Sequence, residues 1–378
     1  MHPIVIVGSG LAGYTLLKEL RKRDSTTPIT LVTADDGAFY AKPNLSNALA
    51  AKKTAADLAS ASAEKLAADL NATILAHTRV HAIDTAAQRV HIDNGELAYS
   101  ALILALGADP IPHGLSGDGA AAVLAVNDLT DYAAFRKAID GKKRITVLGG
   151  GLIGCEFAND LAHAGFAVDV VHLGDWPLER LIPVEAGQRM ADGLAALGVN
   201  WHFGHTARRV ESASEGYQVV LDDGAAIAAD VVLSAIGLRP RTRLAQAAGI
   251  AVGRGIQTNQ LLETDAPNVY AMGDCAEVEG LNLPYVQPLM VQARALAATL
   301  TGTPTPVVYP PMPVMVKTPA HPVAVLPPKI GASGGWKVEC NDTGVCARHV
   351  GENGVLQGFA LTGSETGRRA ALMKELAA

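Results

Sequence analysis

One pattern, written twice, constrains this chain more than anything else in it. Near the N-terminus the residues read PIVIVGSGLAGYTLLKELRKRD and then TPITLVTADDG. That is an apolar run, a glycine turn, a stretch with Leu spaced as on one helix face, and a second apolar run. Near the middle the grammar recurs as KRITVLGGGLIGCEFANDLAHAG followed by FAVDVVHLGD. Each copy predicts a strand, a sharp turn, a helix and a parallel strand, which is a βαβ unit. Later landmarks repeat too. The DNG at Asp93 to Gly95 answers the DDG at Asp222 to Gly224, and LALGADP from Leu104 answers SAIGLRP from Ser234. Their offsets are 129 and 130 residues, against 141 between Gly8 and Gly149. Two copies of one nucleotide-binding domain follow.

After the second copy, NVYAMGDCAEV and the Ala/Leu-rich helix PLMVQARALAATL are expected to complete the first domain. A proline-rich stretch, TPTPVVYPPMP, marks a boundary near residue 308. Beyond it WKVEC, GVCARHV and GVLQGFAL read as short strands between DTG and GENG turns, with a final helix beginning near Glu365. The expected fold class is α/β: two Rossmann-like dinucleotide-binding domains plus a small C-terminal α+β domain. Residues 1–108 and 239–308 make the first domain, 109–238 the second and 309–378 the C-terminal cap. A length of 378 residues accommodates this division, and 49% hydrophobic residues with a mean hydropathy of +0.20 exclude disorder. The net charge of -6, with no long basic run, argues against general nucleic-acid binding. No apolar run reaches the roughly 18 residues of a membrane span, and a cytoplasmic protein is expected. Cys155, Cys275, Cys340 and Cys346 form neither a disulfide framework nor a metal-binding CxxC, so no metal is expected.

Three motifs carry chemistry. Gly8-Ser9-Gly10-Leu11-Ala12-Gly13 stands between a strand and a helix, where glycines allow a tight turn and a pyrophosphate can meet free amides at the helix start. The acid that such a unit uses for ribose hydroxyls falls within Thr33-Ala34-Asp35-Asp36, late and in uncertain register. Gly149-Gly150-Gly151-Leu152-Ile153-Gly154 repeats the arrangement. Its second strand ends in Val170-Val171-His172 with Asp175 soon after and no Arg cluster, which favours NADH over NADPH. His172 itself reads as an exposed strand-end residue. In Asn268-Val269-Tyr270-Ala271-Met272-Gly273-Asp274 an apolar strand delivers Asp274 to a sheet edge, where it can accept a hydrogen bond from a polyol; an ordinary turn Asp is the alternative.

Together these motifs, with the ALG at Ala105 to Gly107 and the AIG at Ala235 to Gly237, resemble the FAD-dependent pyridine nucleotide-disulfide reductase-like flavoproteins, relatives of glutathione reductase and the ferredoxin reductases. The resemblance covers nearly the whole chain and implies a glutathione-reductase-like fold. It implies FAD on Gly8, Ser9, Gly10, Leu11, Ala12, Gly13, Thr33 and Ala34, with Asp274 toward the ribitol-pyrophosphate region. NADH, as co-substrate, falls to Gly149, Gly151 and Gly154. Tyr40-Ala41-Lys42-Pro43-Asn44-Leu45-Ser46 is similar to a segment in which a basic residue contacts FAD, which assigns Lys42; a solvated surface charge is the alternative. Arg79-Val80 resembles the strand whose backbone faces the adenine. Gly154-Cys155-Glu156 matches a GxE whose Glu lies between flavin and nicotinamide, although a helix-start acid that complements the dipole would look the same. Pro313-Val314-Met315-Val316-Lys317-Thr318-Pro319 and the short C-terminal domain resemble the branch that reduces rubredoxin or flavorubredoxin. In that branch Lys317 lies near the flavin N1 and C2 carbonyl, and Val286 presents its backbone to the flavin.

The implied activity moves a hydride from NADH to flavin N5 and then single electrons to rubredoxin. No side chain acts as acid or base, and Glu156 and Lys317 tune the flavin and nicotinamide. Ferredoxin, flavorubredoxin or a quinone-like molecule are alternative acceptors, and a redox-responsive flavoprotein is the alternative outside catalysis. A dithiol relay is excluded, since Leu45-Ser46-Asn47-Ala48 holds no cysteine and none precedes Cys155. Cys155 and Cys275 read as packing residues, Cys340 and Cys346 as free thiols flanking a turn, and the protein as a monomer.

Overall fold

The computed structural model describes residues 2–329 and 331–376, which divide into two compact bodies. The first comprises the residues up to Lys42, Asp57–Asp109 and Leu238–Pro310. The second comprises Pro43–Ala56, Pro110–Gly237 and the residues from Pro311 onward. The α/β class expected from the repeat is what is found.

In the first body the apolar runs IVIV and ITLV, rich in β-branched residues, form the fully buried strands Ile4–Val7 and Ile29–Val32. Both faces of these strands are covered, so they show no polar alternation. The helix between them, Leu11–Arg23, stops where Asp24 turns extended. Its last turn carries Arg21, Lys22 and Arg23, which suits the negative end of the helix dipole. The Arg21 guanidinium reaches the carbonyls of Asp24, Thr27, Leu70 and Asn71 at 2.7–3.0 Å. Five parallel strands run in the order Val269–Ala271, Ala101–Leu104, Ile4–Val7, Ile29–Val32, Thr73–Leu75. Thus the YAMGD strand sits beside the ALG strand, and helix Val286–Leu300 packs on Leu11–Arg23.

The second body repeats the plan with four parallel strands: Val199–Phe203, Ala167–His172, Arg144–Leu148, Val231–Ser234. Each body also carries a three-stranded antiparallel sheet, Val80–Asp84 to Gly95–Ala98 in one and Ala207–Ser212 to Ala226–Ala229 in the other. The repeat extends to detail that the sequence reading missed. His81 Nε2 meets Asp93 Oδ1 at 2.5 Å, and His205 Nδ1 meets Asp222 Oδ1 at 3.1 Å, each pair bracing the turn that opens the last hairpin.

The C-terminal strands form an antiparallel sheet ordered Val314–Val316, Val323–Leu326, Leu356–Gly363, Gly344–Val350, Gly335–Asn341. Side chains alternate across it. Val316, Val323, Val325, Val345, Ala347 and Ala360 share one core with Met190 and Leu194 of helix Val184–Ala196, while Cys346, Phe359 and Leu361 face Leu372 of the last helix. The hairpin register sets Cys340 opposite Val345 and Cys346 opposite Glu339, so the two thiols point to opposite faces and both are free. The last helix, expected from Glu365, runs Arg369–Leu376; a 3-10 turn at Ser364–Arg368 comes first.

This shared core makes the C-terminal sheet a wall of the second body. A chain ended at Pro310 is expected to expose Met190 and Leu194 and to lose cooperative unfolding of residues 110–237, a loss that scanning calorimetry against the full chain detects.

Candidate functional site

The first glycine loop is shaped by close approach. Gly8 has φ +119, and a Cβ there would lie 2.3 Å from the Ala105 carbonyl oxygen; one at Gly13 would lie 1.9 Å from the Gly8 carbonyl oxygen. Only glycine lets helix and turn come this near. Gly10 caps the helix with no side-chain bond and no acid in its first turn, which leaves the positive helix end open to an anion.

The two acids late in the unit take different places. The strand ends at Val32, and the Asp35 carboxylate turns back to accept from Ser9 Oγ at 2.8 Å, Thr33 Oγ1 at 2.6 Å and the Gly37 amide at 3.0 Å. Asp36 instead caps Ala38 at the surface. Thr33 and Ser9 are buried, and the backbone of Thr33 and Asp35 accepts from Thr78 and His77 at 2.8 and 2.7 Å. These bonds bring the start of strand Val80–Asp84, with Val80, to the segment holding Thr33 and Ala34.

Asp274 reaches the same loop from the other side. Gly273, at φ +74, would place a Cβ 2.8 Å from that of Ala12, so the turn lies directly on the first helix. The Gly273 amide donates to Gln292 Oε1 at 2.7 Å, and Gln292 Nε2 donates to Tyr309 at 2.7 Å. Burial pushes the Asp274 carboxyl above its ordinary value, and the Lys42 charge acts in the opposite sense. Val286 opens helix Val286–Leu300 and is 40% exposed.

In the second body a Cβ at Gly149 would lie 2.7 Å from the Ala235 carbonyl oxygen, and one at Gly154 1.8 Å from that of Gly149. Gly151 caps the helix, again without a side-chain bond. His172 is not the exposed residue expected. It is half-buried, its Nδ1 accepting from the Gly150 amide at 3.2 Å and its Nε2 donating to the Trp176 carbonyl at 3.0 Å. Desolvation lowers its pKa.

Glu156 is not a helix-start acid. It stands a full turn into helix Leu152–His163 and is 7% exposed. Its Oε2 accepts from Ser46 Oγ at 2.5 Å and Lys317 Nζ at 2.6 Å, its Oε1 from the Lys317 amide at 3.0 Å. Lys317 Nζ also donates to the Pro43 carbonyl at 2.5 Å. Three and four residues further along, on the same helix face, Asn159 and Asp160 do similar work: Asn159 Oδ1 accepts from the Ala320 amide at 3.1 Å, and Asp160 from the Leu49 and Ala50 amides at 2.8 and 3.1 Å. Ser46, Asn159 and Asp160 escaped the sequence reading because isolated polar residues near a helix carry no periodic signal. Cys155 and Cys275 are fully buried, and desolvation raises both thiols, that of Cys275 to about 11.

Residues 2–297 match the pyridine nucleotide-disulphide oxidoreductase family, and residues 306–376 match the rubredoxin binding C-terminal domain. The chain is 50% identical over 379 residues to a rubredoxin-NAD(+) reductase of Alcanivorax borkumensis, covering 100% of this chain and 99% of that one. It is 40% identical to the nitric oxide reductase FlRd-NAD(+) reductase of Aeromonas salmonicida, covering 99% and 96%. The covalent putidaredoxin reductase-putidaredoxin complex superposes on it with a TM-score of 0.89 at 26% identity, covering 100% and 93%.

Two outcomes follow from this geometry. Asp274→Asn removes a desolvated charge, so the flavin-free variant should melt above the parent at neutral pH. Because the folded carboxyl titrates above its unfolded value, that gap should close as pH falls through the carboxylate range. Lys317→Met leaves Glu156 buried with its ammonium partner gone and should cost about 2 kcal/mol in a urea titration, less than a wholly buried pair because Lys317 is part-exposed.

Proposed function

Because the chain belongs to the pyridine nucleotide-disulphide oxidoreductase family, we propose that it is an FAD-dependent NADH:rubredoxin oxidoreductase. The observation carrying this reading is the conjunction, in one chain, of two glycine loops cut to admit a pyrophosphate and a C-terminal segment of the rubredoxin-binding type. FAD, when bound, supplies chemistry no side chain offers: it takes a hydride and releases electrons singly. The first loop, with Gly8, Ser9, Gly10, Leu11, Ala12 and Gly13, would hold FAD together with Thr33, Ala34, Lys42, Val80, Asp274 and Val286. The second loop, with Gly149, Gly151, Gly154 and Glu156, would hold NADH.

The chain's own work is then positional and electrostatic. Loop amides and open helix ends bind the pyrophosphates, and Asp274 accepts a hydrogen bond from a flavin hydroxyl. Glu156 and Lys317 are the paired charges assigned to tuning the flavin and nicotinamide, with no acid or base step. A thiol relay has no place here, since the first cysteine, Cys155, is buried and its thiol raised. We place the enzyme in the cytoplasm, where NADH is supplied. The Aeromonas relative favours flavorubredoxin as the second candidate acceptor.

The test is anaerobic NADH oxidation with rubredoxin, flavorubredoxin and ferredoxin in parallel at low and moderate salt. Fast, salt-sensitive turnover with rubredoxin is expected. Flavin bleaching with no transfer to rubredoxin would overturn the acceptor.

A further inference from the structure

The strand Ala167–His172 ends on a histidine where this kind of unit usually sets an acid for the adenosine ribose. Both ring nitrogens of His172 are taken by Gly150 and Trp176, so it has nothing left for a diol. Seven residues on, the chain supplies a carboxylate. Gly174 is buried and its φ is not positive, and a Cβ there would lie 1.8 Å from Glu179 Oε2, so the Glu179 carboxylate rests against the Gly174 backbone in space that a side chain at 174 would take from it. The seat is fixed on several sides. The Gly174 carbonyl accepts from the Gly204 amide at 3.1 Å, and the Leu178 amide donates to the Gly150 carbonyl at 3.0 Å. Leu178 is 3% exposed at φ +59, a conformation that costs a branched residue about 1 kcal/mol and that turns the chain to deliver Glu179. Glu179 is half-buried and accepts no hydrogen bond from any described residue. The glycine loop lies against the imidazole, since a Cβ at Gly150 would lie 2.9 Å from His172 Cγ.

We propose that Glu179 reads the adenosine ribose of NADH, accepting its two vicinal hydroxyls, and rejects the 2′-phosphate of NADPH by charge. This rests on the second glycine loop being the NADH site. Arg180, exposed beside it, is the competing feature and would favour the phosphate.

The experiment is calorimetric titration of the flavin-loaded protein with NAD+ and NADP+, for the parent, Glu179→Gln and Gly174→Ala. The parent should prefer NAD+. Glu179→Gln should weaken NAD+ about tenfold while leaving NADP+ unchanged or tighter, and Gly174→Ala, which keeps the carboxylate but displaces it, should shift the ratio the same way. In turnover the change should fall on KM for NADH and leave kcat. An NAD+/NADP+ ratio untouched by both variants, or a parent that prefers NADP+, overturns the proposal while the dinucleotide site stands. A parent that binds neither dinucleotide overturns the site itself.

Discussion

Everything in both bodies depends on a contact that a single methyl group would abolish. In each, the third glycine of the loop lets the helix settle on the carbonyl of the first, with less than 2 Å left for a Cβ. That approach fixes the helix axis against the parallel sheet and aims its uncapped amides at one point in space. Asp35 and the turn before Asp274 both meet the first helix's entry, Asp35 through Ser9 and Gly273 against Ala12. The open helix end is therefore a by-product of packing: the geometry that buries Leu16 and Leu17 also leaves the first turn of the helix uncapped by any side chain.

A second constraint is polar. Helix Leu152–His163 sets three buried acceptors on one face, and each holds backbone from a segment distant in sequence: Glu156 takes Lys317, Asn159 takes Ala320, and Asp160 takes Leu49 and Ala50. Buried charge of this kind is weak evidence of stability but strong evidence of a defined arrangement, because any other leaves a carboxylate unsatisfied. A variant at Glu156 or Lys317 must therefore be read for the structure it disturbs as well as for its effect on activity.

Much of this was legible from the residues because glycine turns and apolar runs are local signals. The doubled pattern from Gly8 and Gly149 led directly to two parallel sheets, and the GD of Asp274 to its edge. What was hidden depended on non-local space. Asp35 and Asp36 are indistinguishable as letters, and only the fold shows that Asp35 turns back to Ser9 while Asp36 faces the surface. His172 read as exposed because nothing in the sequence shows that Gly150 lies against its ring. The partnership of Gly174 and Glu179 is a steric fact, invisible to periodicity. The C-terminal strands alternate as any half-buried sheet would, and nothing in that alternation reveals which helix they cover.

The shared core of the second body also bears on how the chain comes into being. The first body needs residues only as far as Pro310, whereas the second begins at Pro43 and lacks one wall until the strands Val314–Val316 through Leu356–Gly363 exist. During synthesis from the N-terminus, the first body can therefore close while the apolar side of helix Val184–Ala196 still waits, uncovered, for the last part of the chain. The stretch of the molecule most exposed to premature association is the one whose cover is translated last.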